Sequence, residues 1–515
     1  MDRRPESEIT IADTLITLTV CFVIAMAYRG FVLEGFVIPT GSMAPTLLGD
    51  HALWRSPATG YSFATDTGEK FVSQRPRGRG FDIADPMLDR NRAFTSADPA
   101  QVGAASRAGD RVLVFKWFYS FFNPDRFDVI VFKNPTKSWE NYIKRVVGLP
   151  GEEIWLADGD VFARPVGDES ARFAIERKPF HVQRAVWQPV FDSAYVPGPM
   201  PDNDATFRPA DSWLGAARNP DNPRAYRIDS PKESSMRWDN AVRPLDDWNA
   251  YNMLGANLDP PLPVSDVRVL AALTPDSAGL RASLRLTTRG HHVDFIIDGQ
   301  RATLRVAPIN QPDRVVLEQS EEIETLRPGR TTVVEFWHVD QSMRMLIDDE
   351  TIVSAQYDWD AWQRLDHATG QDVRALIETS RALNPLATQA PPTPPALELS
   401  FSGSPVTIQR LQVDRDIYYR PVDGLDSVAT HPHRTARLYD DQFFMLGDNS
   451  GASADGRVWG EPDELVAAQI DPAPFIVNRK LIIGKAWSVY FPSPYPLVEG
   501  GRRFIPDFGR VRFIR

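Results

Sequence analysis

Residues 126–156 read RFDVIVFKNPTKSWENYIKRVVGLPGEEIWL. Asp128 to Phe132 alternate poorly and are mostly apolar, the pattern of a buried strand. Tyr142 to Val147 read as a second strand, and it carries Lys144 and Arg145 between Ile143 and Val146. Successive strand residues point to opposite faces, so these two cations cannot both decorate the surface. A lysine turned inward loses hydration, its pKa falls, and it becomes a candidate general base. The plainer alternative is a lysine on an edge strand whose amine reaches back to water.

Two further segments carry chemistry. Residues 35–51 read GFVIPTGSMAPTLLGDH. Phe36 to Ile38 form a short extended piece, and Pro39 to Ser42 a turn around Gly41. A serine on a glycine-containing turn, with backbone amides beside it, is the layout of a nucleophile with an oxyanion hole; such a turn is also often only a turn. His51 follows Ser42 too closely to be assigned as its base by spacing. Residues 443–460, FFMLGDNSGASADGRVWG, are an apolar strand followed by a polar loop. Asp455 and Arg457 stand two apart, suited to a local ion pair. The loop has no glutamate at the spacing of a helix–loop–helix calcium site, so a calcium reading is poor.

The chain has 515 residues, 43% hydrophobic and 24% charged, which excludes wholesale disorder and a multi-pass transporter. With 57 basic and 68 acidic residues the formal charge is −11, so no nucleic-acid partner is expected. One cysteine, Cys21, excludes an intrachain disulfide and a cysteine zinc site, and eight histidines argue against a histidine-rich metal site. No metal or other cofactor is expected. From Ile9 to Ala27 the only charge is Asp13, and the stretch is long enough to span a bilayer core. A cleavable leader would have a shorter apolar run. An uncleaved anchor over 9–28 is expected, with Cys21 as an apolar filler. Arg3 and Arg4 place a short tail, 1–8, in the cytoplasm and the rest of the chain outside it.

In this order, the apolar anchor, PTGSMAPTL, YIKRVVGLPG and GDNSGASADGRVWG resemble the type I signal peptidases, membrane-bound Ser–Lys leader peptidases. The resemblance covers roughly residues 9–164 and 436–491. It implies a β catalytic domain in which Ser42 is the nucleophile and Lys144 the general base. It implies an oxyanion hole from the Ser42 amide and the Thr40 hydroxyl, a hydrogen bond from Ser453 to the Lys144 amine, and a loop-supporting ion pair between Asp455 and Arg457. Apolar pockets for small substrate residues are implied along Phe36, Ile38, Met43, Leu47, Tyr142 and Ile143. Gly456 departs from the family, many members of which have serine there. The implied partners are secretory preproteins and the lipid bilayer of the cell membrane.

The expected organisation is a peptidase part over 34–164 and 436–515, split by an insertion over 165–435. A polar surface excursion is expected over 55–108. The first third of the insertion, 165–265, shows few periodic runs and is expected to wrap over a neighbour. Short strand signals then recur over about 265–420, with hairpin turns at Asp298–Gly299 and Asp348–Asp349. Many short strands with polar turns point to a β-sandwich. FWHVDQSMRMLIDDETI resembles a hairpin of laminin-G or concanavalin-like jelly rolls. DVRALIETSRAL reads as a short helix within 366–395. The fold class expected is therefore mainly β, with one N-terminal transmembrane helix.

The function expected is a single-pass membrane serine endopeptidase that removes signal peptides from exported preproteins. A different class, an inactive peptidase-like cell-surface protein binding a carbohydrate or protein through the sandwich, would use exposed Trp337, Trp359 and Trp362 for stacking; packed tryptophans would remove its basis. Intact Ser42 and Lys144 argue against it. A Ser–Lys autoprotease of the SOS-repressor type shares the dyad, but the anchor and the missing DNA-binding head disfavour it. The dyad segments lie wholly outside the sandwich, so the insertion is expected to be separable from the catalytic part.

Overall fold

The computed structural model describes residues 11–56, 58–67, 81–88, 93–97, 106–196, 211–215, 217–254, 260–379, 391–422, 427–496 and 503–515. The fold is mainly β, and its sheets are antiparallel. The strand pair read in 126–156 is Val129–Asn134 against Lys137–Gly148. It lies inside an eight-stranded sheet. Its order is Leu33–Val37, Arg111–Phe115, Ile482–Phe491, Val129–Asn134, Lys137–Gly148, Gln442–Leu446 and Val477–Asn478, with Arg512–Phe513 paired to Ile482–Phe491. Lys144 is therefore on an interior strand, flanked on both sides, and not on an edge. Residues before and after the long middle are neighbours in this sheet.

A small sheet follows in the order Ala174–Ile175, Asp160–Pro165, Glu152–Ala157 and Ala436–Arg437. Between Ile175 and Ala436 the chain builds two facing sheets around one large core, which includes Val269, Leu284, Phe295, Phe336 and Leu399. The hairpin at Asp348–Asp349 is present, both residues having positive φ, as a two-residue turn of this hand requires. The other lies one residue later than expected: Asp298 pairs with Arg301, so Gly299–Gln300 form the loop.

Two expectations need correction, and a third finds no support. Segment 165–265 does more than wrap: Gln188–Asp192, Ala217–Arg218 and Tyr226–Ile228 extend one large sheet, and Trp213–Leu214 and Ser234–Trp238 the other. These strands are too short to show a period. The described parts of 55–108 are also strands rather than a plain excursion. His51–Arg55 lies between Ser62–Asp66 and Ser106–Arg107, and Phe81–Ala84 pairs with Ala93–Ala97. Phe63 and Thr65 are buried at alternate positions, and Phe63 and Ile83 pack with Leu254 of the insertion. Finally, among the described residues no helix is long and apolar enough to cross a membrane, so the structure does not support the transmembrane helix expected over 9–28. Helix Ile11–Phe31 is present, but Asp13, Thr14, Thr17 and Thr19 interrupt its apolar surface. Residues 1–8, with Arg3 and Arg4, lie outside the described residues.

The expected helix near 373 runs over Val373–Thr379, and Ala361–Thr369 precedes it. The latter begins with a capping box of Asp360 and Gln363 and ends on Gly370 at φ 69°. This helix joins the sandwich to the small sheet. Trp362 packs on Trp155, ring centroids 4.8 Å apart. Arg364 Nε donates to Asp158 at 2.8 Å and its Nη2 to Asp160 at 2.6 Å. Nearby, Lys178 Nζ lies 2.6 Å from Asp340 and 2.8 Å from Asp416. Asp160, Asp266, Asp340 and Asp416 cluster here, and Lys178, Arg289 and Arg364 supply the cations between them.

Candidate active site

Ser42 sits in the 3-10 turn Gly41–Met43, directly after the segment that leaves the edge strand Leu33–Val37. Lys144 points at it from the interior strand. Lys144 Nζ donates to Ser42 Oγ at 2.6 Å. The lysine is 3% exposed, and burial lowers its pKa to about 8; Asp455 and then Asp448 oppose that shift, and Arg457 adds to it. His51 is not the partner of Ser42. Its Nδ1 contacts the Gly49 carbonyl at 2.7 Å, and burial lowers its pKa.

Arg145, on the next residue, is fully buried as well, in a bidentate pair with Asp448 at 2.8 and 2.6 Å. Asp448 also accepts from the Thr46 hydroxyl at 2.6 Å. The strand thus sends one cation to the serine and the next to the loop behind it. In that loop Asp455 and Arg457 form the expected ion pair, with two contacts of 2.8 Å. Asp455 also accepts from the Gly447 amide, and Arg457 reaches the carbonyls of Arg420 and Ser450.

Other expected site residues fall differently. Ser453 Oγ is buried and, among the described residues, has no hydrogen-bond partner, so the expected bond to Lys144 is not formed. Its neighbour is Gly447: a Cβ there would lie 2.2 Å from Ser453 Oγ, so the hydroxyl is held beside the backbone rather than on the amine. Thr40 is exposed, and its side chain makes no capping bond. Ile38, Met43, Leu47 and Ile143 share one apolar cluster, with Phe36 packed against it. Met43 and Leu47 are fully buried and present no surface to a substrate here. Tyr142 is not in that cluster. It packs with Phe132 and Trp459 on the other side, its ring 5.3 Å from Lys144 Nζ. The tryptophans considered for stacking are packed. Trp337 is buried against Phe180 and Trp187, Trp359 packs on the sandwich core, and Trp362 lies on Trp155.

Three residues at the serine turn were not read from the sequence. Asn449 donates from Nδ2 to the Gly41 carbonyl at 2.9 Å and from its backbone to the Ser42 carbonyl at 3.1 Å. Asn252 pairs with the Asn449 side chain, and Tyr251 covers Gly41. Asn449 lies in a loop whose crowded polar residues signal a constrained turn. Nothing in 240–260 signals the other two. With them the insertion packs against the serine turn.

A buried lysine donating to a serine, on an antiparallel sheet assembled from both ends of the chain, is a geometry that a nucleophile and its base could use. Comparison narrows this: residues 97–177 match the family model described as signal peptidase, peptidase S26, and the chain resembles the type I signal peptidases. "Signal peptidase I" of Rickettsia typhi is 25% identical over 154 residues, 30% of this chain and 43% of that one. The protein of the same name from Buchnera aphidicola is 30% identical over 134 residues, 26% of this chain and 27% of that one. The chain thus spans less than half the length of these relatives. Among solved structures, the carbohydrate binding module CBM66 from Bacillus subtilis is 9% identical, covering 39% of this chain and 95% of that one, at a TM-score of 0.22. A score of that size carries no argument.

The departure at Gly456 has a local cause. A Cβ there would lie 2.7 Å from the ring of fully buried Phe444 and 3.0 Å from the Met445 carbonyl. Gly456→Ser is expected to lower unfolding free energy by about 1–3 kcal/mol, the usual range for overpacking. Urea unfolding of the variant checks this, and unchanged stability would show that the ring yields.

Proposed function

We propose that this chain is a membrane-held serine endopeptidase that removes signal peptides from exported preproteins, with Ser42 as nucleophile and Lys144 as general base. The observation that carries this reading is the 2.6 Å contact between a buried Lys144 amine and Ser42 Oγ. An ordinary lysine is protonated at neutral pH and cannot act as a base; burial brings Lys144 to about 8. Neutral Lys144 takes the Ser42 proton as Oγ attacks the scissile carbonyl. The Ser42 amide and Thr40 hydroxyl hold the resulting oxyanion. The lysine ammonium then protonates the leaving amine, and the acyl group stays on Ser42 as an ester. Water, deprotonated by Lys144, hydrolyses the ester and restores both groups. Asp455 and Arg457 hold the loop beside Lys144. Ser453 contributes packing next to Gly447, and half-buried Phe36 is the edge of the apolar cluster available to a substrate side chain.

The relatives' name supports preproteins as the substrate class. In this reading residues 9–28 anchor the chain and the body beyond them faces the extracytoplasmic side. Helix Ile11–Phe31 exposes Ile11, Leu15, Ile16, Leu18, Phe22 and Ile24, which fits contact with lipid rather than water. Alkaline carbonate extraction of membranes tests it: the full chain is expected to stay in the pellet, and its release to the supernatant would overturn the anchor.

Ser42→Ala and Lys144→Ala are each expected to abolish cleavage of a detergent-presented preprotein, since loss of either member of such a unit removes nearly the whole effect. Lys144→Arg should also be inactive, because guanidinium does not deprotonate. Turnover near wild type in either alanine variant would refute the assignment.

The pH profile has a fixed sign. The active form is neutral Lys144, so kcat/KM should be low at acid pH and rise through about 8, below the ordinary lysine value. A flat profile from pH 6 to 10, or a rise only above 10, would contradict a buried lysine base.

A further inference from the structure

The Ser42 N–H and the Gly41 carbonyl belong to one planar trans peptide and point in opposite directions. Whatever holds the Gly41 oxygen therefore aims the Ser42 amide. That oxygen accepts from Asn449 Nδ2 at 2.9 Å and from the Ala44 amide at 3.0 Å. The next carbonyl, that of Ser42, accepts from the Asn449 backbone at 3.1 Å. The direction of the Ser42 N–H thus depends on which way the Asn449 side-chain amide is turned.

Asn252 decides that. Its Nδ2 donates to Asn449 Oδ1 at 2.8 Å, and its Oδ1 accepts from Asn449 Nδ2 at 2.8 Å. The reciprocal pair is buried, Asn449 3% and Asn252 6% exposed. Turning the Asn449 amide over would set its oxygen against both the Gly41 carbonyl and Asn252 Oδ1. Asn252 is itself fixed by the turn Ala250–Leu254. There Tyr251 donates to the Asp50 carbonyl at 3.0 Å, and its ring lies where a Cβ on Gly41 would stand 1.9 Å away. We propose that Asn252, a residue of the insertion, is a positioning residue for cleavage at Ser42: by locking Asn449 it directs the Ser42 N–H toward the oxyanion. The insertion is then part of how the serine turn is held, whatever else it binds. This rests on the reading of Ser42 as nucleophile.

The test uses the full chain in detergent and a preprotein substrate, comparing wild type with Asn252→Ala, Asn252→Asp, Asn449→Ala, Asn252→Ala/Asn449→Ala and Ser42→Ala. Asn252→Asp keeps the shape but cannot donate to Asn449 Oδ1, so it reads the same contact if the alanine variant does not fold. For both Asn252 variants kcat, per folded molecule, should fall roughly tenfold to a hundredfold, the scale of a misdirected oxyanion donor. KM should stay within about twofold, as for an interaction made in the transition state. For Asn252→Ala the midpoint of the pH profile should not move, because that change brings no charge near Lys144. The double variant should lose little more than the worse single one. A lower unfolding temperature with unchanged kcat per folded molecule would overturn the proposal, and so would additive losses. Cleavage by Ser42→Ala would refute the nucleophile itself. An inactive Ser42→Ala alongside fully active Asn252 variants would leave the nucleophile standing and remove only the role of Asn252.

Discussion

An ammonium group with almost no water around it is the constraint on which the site depends. Among the described residues Lys144 has no carboxylate in hydrogen-bonding contact; its hydrogen-bond partner is Ser42 Oγ. The shift from 10.5 to about 8 corresponds to roughly 3 kcal/mol withdrawn from the charged form. Such a group persists only where the surrounding sheet is rigid enough to refuse it solvent. Strands on both sides of Lys137–Gly148 and the loop after Gln442–Leu446 provide that enclosure. The enclosing charges are set back from the amine: Asp448 is engaged by Arg145, and Asp455 by Arg457. Each carboxylate raises the lysine pKa only at a distance, and so desolvation dominates.

Those ion pairs also tie segments that are remote in the chain. Asp448 joins the interior strand, through Arg145, to the turn after Ser42, through Thr46. Removing one partner of so buried a pair strands a charge, which is why such pairs hold geometry more reliably than surface pairs do. On the far side of the small sheet, Arg364, Arg289 and Lys178 perform a comparable task, locking the sandwich against Asp158, Asp160 and Asp416. The insertion is thus fastened both at this charged cluster and at the serine turn, through Tyr251 and Asn252.

Much of the site was legible because its chemistry is written in short contiguous words. PTGS, YIKR and the ASADGR loop each name their residues by type and spacing, and the structure does bring Ser42, Lys144, Asp455 and Arg457 into one region. That the expected bond from Ser453 to Lys144 does not form was not legible, because it depends on how closely the Ser453 hydroxyl packs on the Gly447 backbone. That Tyr142 and Ile143 pack in different apolar clusters follows from a simpler rule: adjacent strand residues face opposite ways. The sandwich strands after residue 265 were readable from alternation and turn residues. The strands of two to five residues before it were not, since a period needs more length than they have.

By itself the sequence determined which groups could react, that the fold is mainly β, and the turns whose backbone needs particular residues, such as Asp348–Asp349. These follow from local chemistry: residue type, alternation and turn preference. Tertiary structure alone decided that Lys144 lies on an interior strand, that Arg145 pairs with Asp448, and that an asparagine far along the chain holds the carbonyls of the serine turn. Burial, pKa and the aim of a peptide plane are properties of everything packed around a residue, and contacts between residues about two hundred positions apart, as between Asn252 and Asn449, leave no mark on the local pattern of either segment.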